Sequence, residues 1–261
     1  MTPKNRVIIL TGATAGIGQA TAYTLAEAGC KLVLAARRVE LLQTLTDELT
    51  ARGHQALAIP TDMGDTAQAA ALAQKTVETF GRIDVVINNA GLGVRDKVLD
   101  LCEEEARRVM DINYFGPVAL IQAAIPHLKA NPEGGLIINV SSIVGRRAMP
   151  GIAGYCASKA ALEKMAESLQ IELKADNIRV STVYPGVTVT RFNDHSLGSS
   201  QEGRGRVSGV PPERVAWAIL KTIRHEPRDV FITLFDRAFV TANMLWPWFM
   251  DKLLARRLGL G

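Results

Sequence analysis

The sequence predicts an α/β protein: one doubly wound domain on a seven-stranded, mostly parallel sheet, flanked by helices on both faces. Three observations predict it. Short apolar runs alternate with helix-forming segments along most of the 261 residues, and such runs mark strands buried on both faces. A glycine-rich turn, Gly12-Ala-Thr-Ala-Gly16-Ile-Gly18, joins the first run to the first helix. Polar signatures then recur directly after strands: Arg37, Asp62, Asn89, Ser142 and Pro185-Gly186. Right-handed crossovers gather all those strand ends at one edge, where open sheets bind ligands.

Each element has its own justification. Val7 to Thr11 is a short apolar run read as the first strand, and the helix from Gln19 to Ala28 ends at Gly29, a C-capping residue. Lys31 to Ala36 is the second strand. The helix Glu40 to Arg52 carries Leu41, Leu42, Leu45 and Leu49 on one side. Ala56 to Pro60 is a strand, Asp65 to Phe80 a helix, and Ile83 to Ile87 a strand ending in Asn88-Asn-Ala-Gly91. One long helix is expected from Glu103 through Pro117 towards Leu128. Gly135 to Val140 and Arg179 to Val183 are strands, separated by a helix running on from Tyr155. Pro212 to Arg224 is a helix and Asp229 to Thr233 the last strand. No internal repeat or linker divides the chain, so residues 1–261 are expected to form a single domain, with 236–261 an apolar helical extension.

Composition narrows the function. At 48% hydrophobic the chain can bury a full core. Thirty Lys and Arg against 26 Asp and Glu leave only +4, too little and too dispersed for a nucleic-acid binder. Cys30, Cys102 and Cys156 are widely spaced and match no metal-ligand pattern, so no metal is expected, and free thiols suit the cytoplasm. Val7 to Leu10 is too short for a secretory apolar region, and no run of about eighteen apolar residues could span a bilayer.

The glycine turn sits between strand and helix, where such a motif is credible. Gly12 permits the tight turn, Gly16 lets the backbone approach a pyrophosphate, and Gly18 allows close packing, with the helix N-terminus facing the phosphates. Tyr155 and Lys159 are four residues apart and share a helical face. A free tyrosine titrates near 10, and lowering it by about three units takes about 4 kcal/mol. One ammonium about 5 Å away supplies roughly 3 kcal/mol at an effective dielectric of about 20. Lys159 is thus expected to do most of that tuning, with a cationic cofactor doing the rest. Tyr-x-x-x-Lys is by itself too common a pattern to carry the argument.

In this order and spacing, Thr11-Gly-Ala-Thr-Ala-Gly-Ile-Gly18, Asn88-Asn-Ala-Gly91, Asn113, Ser142, Tyr155-x-x-x-Lys159 and Pro185-Gly186 resemble the short-chain dehydrogenase/reductase family. The likeness covers roughly residues 5–235. It implies a Rossmann-type domain and hydride exchange between NAD(P)(H) and a carbonyl or alcohol. By the same resemblance, Tyr155 moves the proton, Ser142 holds the reacting oxygen, Lys159 tunes Tyr155 and grips the nicotinamide ribose, and Asn113 anchors a water. It also implies cofactor contacts at Gly12, Thr14, Gly16, Ile17, Gly18, Asp62, Asn89, Ala90, Gly91, Pro185, Gly186, Thr188 and Thr190. Two preplaced hydroxyl donors make chemical sense, because hydride arrival leaves negative charge on oxygen.

Cofactor choice can be read from the end of the second strand. Where an NAD site places an acid for the ribose 2′-OH, this chain has Ala36, followed by Arg37 and Arg38. A guanidinium binds a 2′-phosphate through charge-assisted hydrogen bonds. NADP(H) is therefore expected, with Arg37 the better partner, although Ala15 stands where many NADP-preferring relatives carry a basic residue.

Two stretches lie outside these motifs. Phe192 to Gly209 is polar and Gly/Ser-rich, and reads as a mobile lid; its His195 is expected to be solvated. Phe239 to Leu254 crowds aromatic and aliphatic residues ahead of Arg256-Arg257. Packing, within the molecule or on another subunit, is the first reading for it. A membrane surface, or the wall of an apolar substrate pocket, is the alternative. The expected function is an NADP(H)-dependent oxidoreductase for an apolar ketone or secondary alcohol, steroid-like or broad in range. A 3-oxoacyl thioester reductase or a non-catalytic NADP-binding protein stands as the alternative. The family likeness also implies a homo-oligomer, dimer or tetramer.

Overall fold

A computed structural model describes residues 1–200 and 208–257. In chain order these form β1 (Val7–Thr11), α1 (Gly16–Glu27), β2 (Lys31–Ala36), α2 (Val39–Ala51), β3 (Gln55–Pro60), α3 (Thr66–Phe80) and β4 (Val85–Asn88). There follow α4 (Glu103–Met110), a π-helical turn (Asp111–Phe115), α5 (Gly116–Lys129), β5 (Gly135–Val140), α6 (Ile143–Arg146) and α7 (Ala153–Glu172). The chain continues through β6 (Ile178–Tyr184), α8 (Pro212–His225), β7 (Asp229–Phe231), α9 (Leu234–Leu245) and α10 (Pro247–Arg257).

The seven strands form one sheet in the order β3-β2-β1-β4-β5-β6-β7. Every pairing in it is parallel. Strand period two sorts the side chains into two apolar layers. Ile8 and Leu10 of β1 pack with Leu25 of α1 and Ile219 of α8. Ile9, between them, faces the other layer with Leu72 of α3 and Leu120 of α5. The order reverses between β1 and β4, so their outgoing loops diverge to opposite faces and open a crevice.

Two expected elements differ. The helix foreseen from Glu103 to Leu128 is interrupted by the π-helical turn Asp111–Phe115, a feature that tends to mark functional sites. Helix-favouring composition ran through the break unmarked. The C-terminal extension is two helices, not one. Trp246 leaves helical geometry (φ −136°, ψ 62°), as the residue before a proline tends to do, and Pro247 opens α10. Among the described residues no helix is long and apolar enough to cross a membrane.

Candidate active site

The loops after β1 and β4 are stapled together where the sheet order reverses. The Thr11 hydroxyl donates to the Ile87 carbonyl (3.2 Å) and accepts from the N–H groups of Asn89 and Ala90 (both 3.0 Å). Asn89 Nδ2 donates back to the carbonyls of Thr11 (2.9 Å) and Gly12 (3.3 Å). Gly12 sits at φ +67°, and a Cβ there would lie 2.8 Å from Ala90 Cα. A Cβ on Gly18 would lie 2.0 Å from the Gly12 carbonyl oxygen. The loop therefore has no room for side chains at either position. Helix α1 opens at Gly16, and its N-cap, Ala15, offers no side-chain acceptor, so the first-turn N–H groups suit an anion. That cradle fits a dinucleotide phosphate. Ile17 packs against the core on its other side, and Thr190 lies against Gly16.

The residues expected to handle the proton gather one loop further along the same edge. Ser142 caps α6 by accepting from Val144 N (3.4 Å), and its hydroxyl donates to the Pro185 carbonyl (3.3 Å). It also lies close enough to the Tyr155 phenol to favour the charged form of that group. Lys159 is buried, and its Nζ donates to the Val140 carbonyl at 2.9 Å. Its Nζ lies 5.9 Å from the centre of the Tyr155 ring. Asn113, in the π-helical turn, accepts from Leu92 N and donates to Leu92 O and Ser158 Oγ, each at 2.8 Å. A Cβ on Gly91 would stand 3.5 Å from both Asn113 Oδ1 and Lys159 Nζ. The crevice and this cluster therefore meet at Gly91.

Electrostatics corrects one expectation. Burial pushes the Tyr155 phenol above its ordinary value, Cys156 adds to that, and the Ser142 hydroxyl pulls the other way. Lys159 is not among these influences: its ammonium lies 5.9 Å from the ring centre and donates to the Val140 carbonyl, where it keeps its charge. Burial instead brings Lys159 itself down to about 8. Both N–H donors of the Asn113 amide are used, on Leu92 and Ser158, and its side chain locks a turn. Oδ1 accepts from Leu92 N and keeps a second lone pair, so the water expected there would be held as a donor to that oxygen.

The outer positions are more dispersed. Arg37 and Arg38 are exposed after β2, and Arg38 Nη2 reaches Thr14 Oγ1 at 3.4 Å. Asp62 spends its oxygens on Gly64 N (2.9 Å) and Arg108 (2.5 Å). Burial works against its charge, but these partners, with Arg37 beyond them, hold the carboxyl below its ordinary value. The Thr188 hydroxyl turns inward to the Gly186 carbonyl (3.2 Å). His195 is exposed.

Three features escaped the sequence. Thr11 organises both loops, yet reads as an ordinary strand end. Phe192 lays its ring 5.5 Å from that of Tyr155. Its segment pairs with the loop after β4, through a bridge between Val94 and Leu197. The lid foreseen over 192–209 is thus partly anchored, while 201–207 lie outside the described residues. Glu163, one turn beyond Lys159, is buried against Arg146 (2.8 Å); its spacing from Lys159 was the available signal.

Comparison with known proteins agrees with this geometry. A family model described as short chain dehydrogenase matches residues 6–199. An uncharacterized oxidoreductase, YxnA of Bacillus subtilis, is 36% identical over 257 residues, covering 97% of this chain and 72% of its own. A short chain dehydrogenase of Burkholderia cenocepacia, solved in complex with NADP, is 28% identical, with a TM-score of 0.82 over 97% of this chain and 99% of that one. Another from Burkholderia phymatum, solved with NAD, has a TM-score of 0.88 at 24% identity, covers 96% of each chain, and speaks for the fold. The chain belongs to the short-chain dehydrogenase/reductase family, and is an oxidoreductase of that family.

Proposed function

We propose that this protein is an NADP(H)-dependent oxidoreductase that interconverts an apolar ketone and its secondary alcohol. The observation that carries the reading is the Tyr155 phenol, within the influence of the Ser142 hydroxyl and gathered with Lys159 where the glycine crevice ends. Gly12 to Gly18 would hold the cofactor's diphosphate, Tyr155 and Lys159 its nicotinamide ribose, and Pro185 to Thr190 the amide side. A bound nicotinamide cofactor supplies the hydride and, when oxidised, a positive charge beside the phenol.

The chain's own residues handle the proton. In reduction Tyr155 Oη gives its proton to the carbonyl oxygen while the Ser142 hydroxyl, rotated off the Pro185 carbonyl, donates to the same oxygen and offsets the charge that develops there. In oxidation Tyr155 takes the proton back. Asn113 acts through position, by fixing Leu92 and the Ser158 turn of α7. Phe192, Val94 and Leu101 around the start of α7 favour an apolar substrate.

Arg37 and Arg38, standing where an acid would repel a 2′-phosphate, support NADP(H). The family likeness supports a homo-oligomer, and the free Cys30, Cys102 and Cys156 support a reducing compartment such as the cytoplasm. Tyr155→Phe should lower kcat/KM for ketone reduction by about 10²–10⁴-fold and weaken the cofactor Kd by at most about tenfold, the worth of one ribose hydrogen bond. Turnover that survives this change rules the proton assignment out. Arg37→Ala should weaken NADPH binding by about 10–100-fold, the worth of a charge-assisted hydrogen bond, and spare NADH. Equal losses for both cofactors would remove the argument for NADP(H).

A further inference from the structure

The last two helices carry a surface the sheet does not need. Eight of the eighteen large apolar side chains exposed among the described residues fall between Leu234 and Leu253, including Phe235, Met244, Trp246, Trp248 and Phe249. These helices are not loosely attached. Thr233 and Asp236 form a capping box at the start of α9, and Asp236 packs against Gly186. Arg147 donates to Asn243 (3.0 Å) and pairs with Asp251 (2.6 Å). Val240, Met250 and Leu254 are buried beneath. The outward face is what this docking leaves over.

Its charge is one-sided. Arg237, Lys252 and Arg256 are exposed, and Lys252 Nζ lies 5.4 Å over the Trp248 ring. The acids of the same two helices are both engaged: Asp236 is buried in the cap and Asp251 pairs with Arg147. A two-fold contact centred on this face would bring like charges together with no exposed acid of these two helices free to offset them. A bilayer bearing anionic headgroups complements them, and tryptophans favour its interfacial layer.

We propose that the outer face of α9 and α10 docks on anionic lipid bilayers, with its aromatic side chains at the headgroup–acyl boundary and Arg237, Lys252 and Arg256 at the phosphates. The proposal does not depend on the reaction assigned above. It places the membrane beside Pro185-Gly186 and the rim of the site.

The full chain is mixed with vesicles of phosphatidylcholine alone or with phosphatidylglycerol, and binding is read by co-sedimentation. Three cations near an anionic surface should tighten binding on the order of a hundredfold over neutral vesicles. In a Trp217→Phe background the two remaining tryptophans, Trp246 and Trp248, should shift their emission to the blue with anionic vesicles only. Lys252→Glu with Arg256→Glu should abolish sedimentation without lowering the melting temperature, and Trp248→Ser with Phe249→Ser should do the same. Equal binding to both vesicles, or none, overturns the proposal. So does a dimer that the Trp248/Phe249 variant dissociates while vesicle binding is untouched, for the face then belongs to a second copy.

Discussion

Successive turns of α7 bury opposite charges in different ways. Lys159 and Glu163 are 3% and 2% exposed. Lys159 meets a neutral carbonyl, that of Val140, and burial is the one influence moving it, down to about 8. Glu163 sits in a cluster of its own. Burial is the largest influence there too and raises it to about 7, but Arg146 opposes that rise. Arg146 in turn reaches the Tyr184 hydroxyl (2.5 Å) and Asp229 (3.3 Å). The Ser141 hydroxyl stands between the two turns, 3.4 Å from both the Lys159 carbonyl and Glu163 Oε1. The lesson is one of self-sufficiency. Glu163 has its counter-charge within the fold, which suits a structural role joining α6, α7 and β7. Lys159 is held as a cation facing a crevice, at a cost in stability that a ligand can offset.

The sharpest way to break that contrast is Lys159→Met. Turnover should fall by about 10²–10⁴-fold if the ammonium serves the proton transfer, while the folded state gains. A shift from 10.5 to about 8 corresponds to about 3 kcal/mol, and losing the Val140 hydrogen bond returns about 1 kcal/mol, so the net gain is about 2 kcal/mol at pH 7. The sign follows from linkage. A lysine depressed in the folded state costs its full penalty below about pH 8, and the penalty fades as pH rises towards 10.5. Urea melts across that window should show the variant's advantage shrinking. An inactive variant less stable than the parent at pH 7 would mean that the cation is well solvated and the contrast with Glu163 is empty.

Much of this was legible in the sequence, and the reasons differ by residue. The β1 strand and the Gly12–Gly18 turn were readable because apolar runs and glycine spacing are local. Tyr155 and Lys159 were readable as a pair because one helical turn sets their separation. The phenol's acidity was not. It depends on how deeply α7 sinks behind the sheet, just as the seat of Lys159 depends on the Val140 carbonyl, nineteen residues away in sequence. The break at Asp111–Phe115 was hidden for a similar reason. What stabilises it is the Asn113 amide bound to Leu92 and Ser158, contacts spanning 21 and 45 residues. The split at Pro247 was written locally and was passed over.

The smaller effect lies in Glu163→Gln, and it tests the other side of the comparison. A carboxyl raised from 4.5 to about 7 keeps its proton in the folded state when the unfolded chain has lost it. The unfolded state then binds fewer protons, so stability falls as pH rises through that interval, by up to about 3 kcal/mol. Glutamine copies the shape of the protonated acid and does not titrate. Parent and variant should therefore match near pH 4.5, and the variant should lead by about 2–3 kcal/mol above pH 7, with kcat little changed because Glu163 touches no reacting atom in the proposed mechanism. Thermal melts at both pH values, paired with turnover at pH 7, decide it. If the variant is instead the weaker protein at pH 7, the pairing with Arg146 outweighs the burial, and the two turns of α7 differ even more than the direction of the Glu163 shift implies.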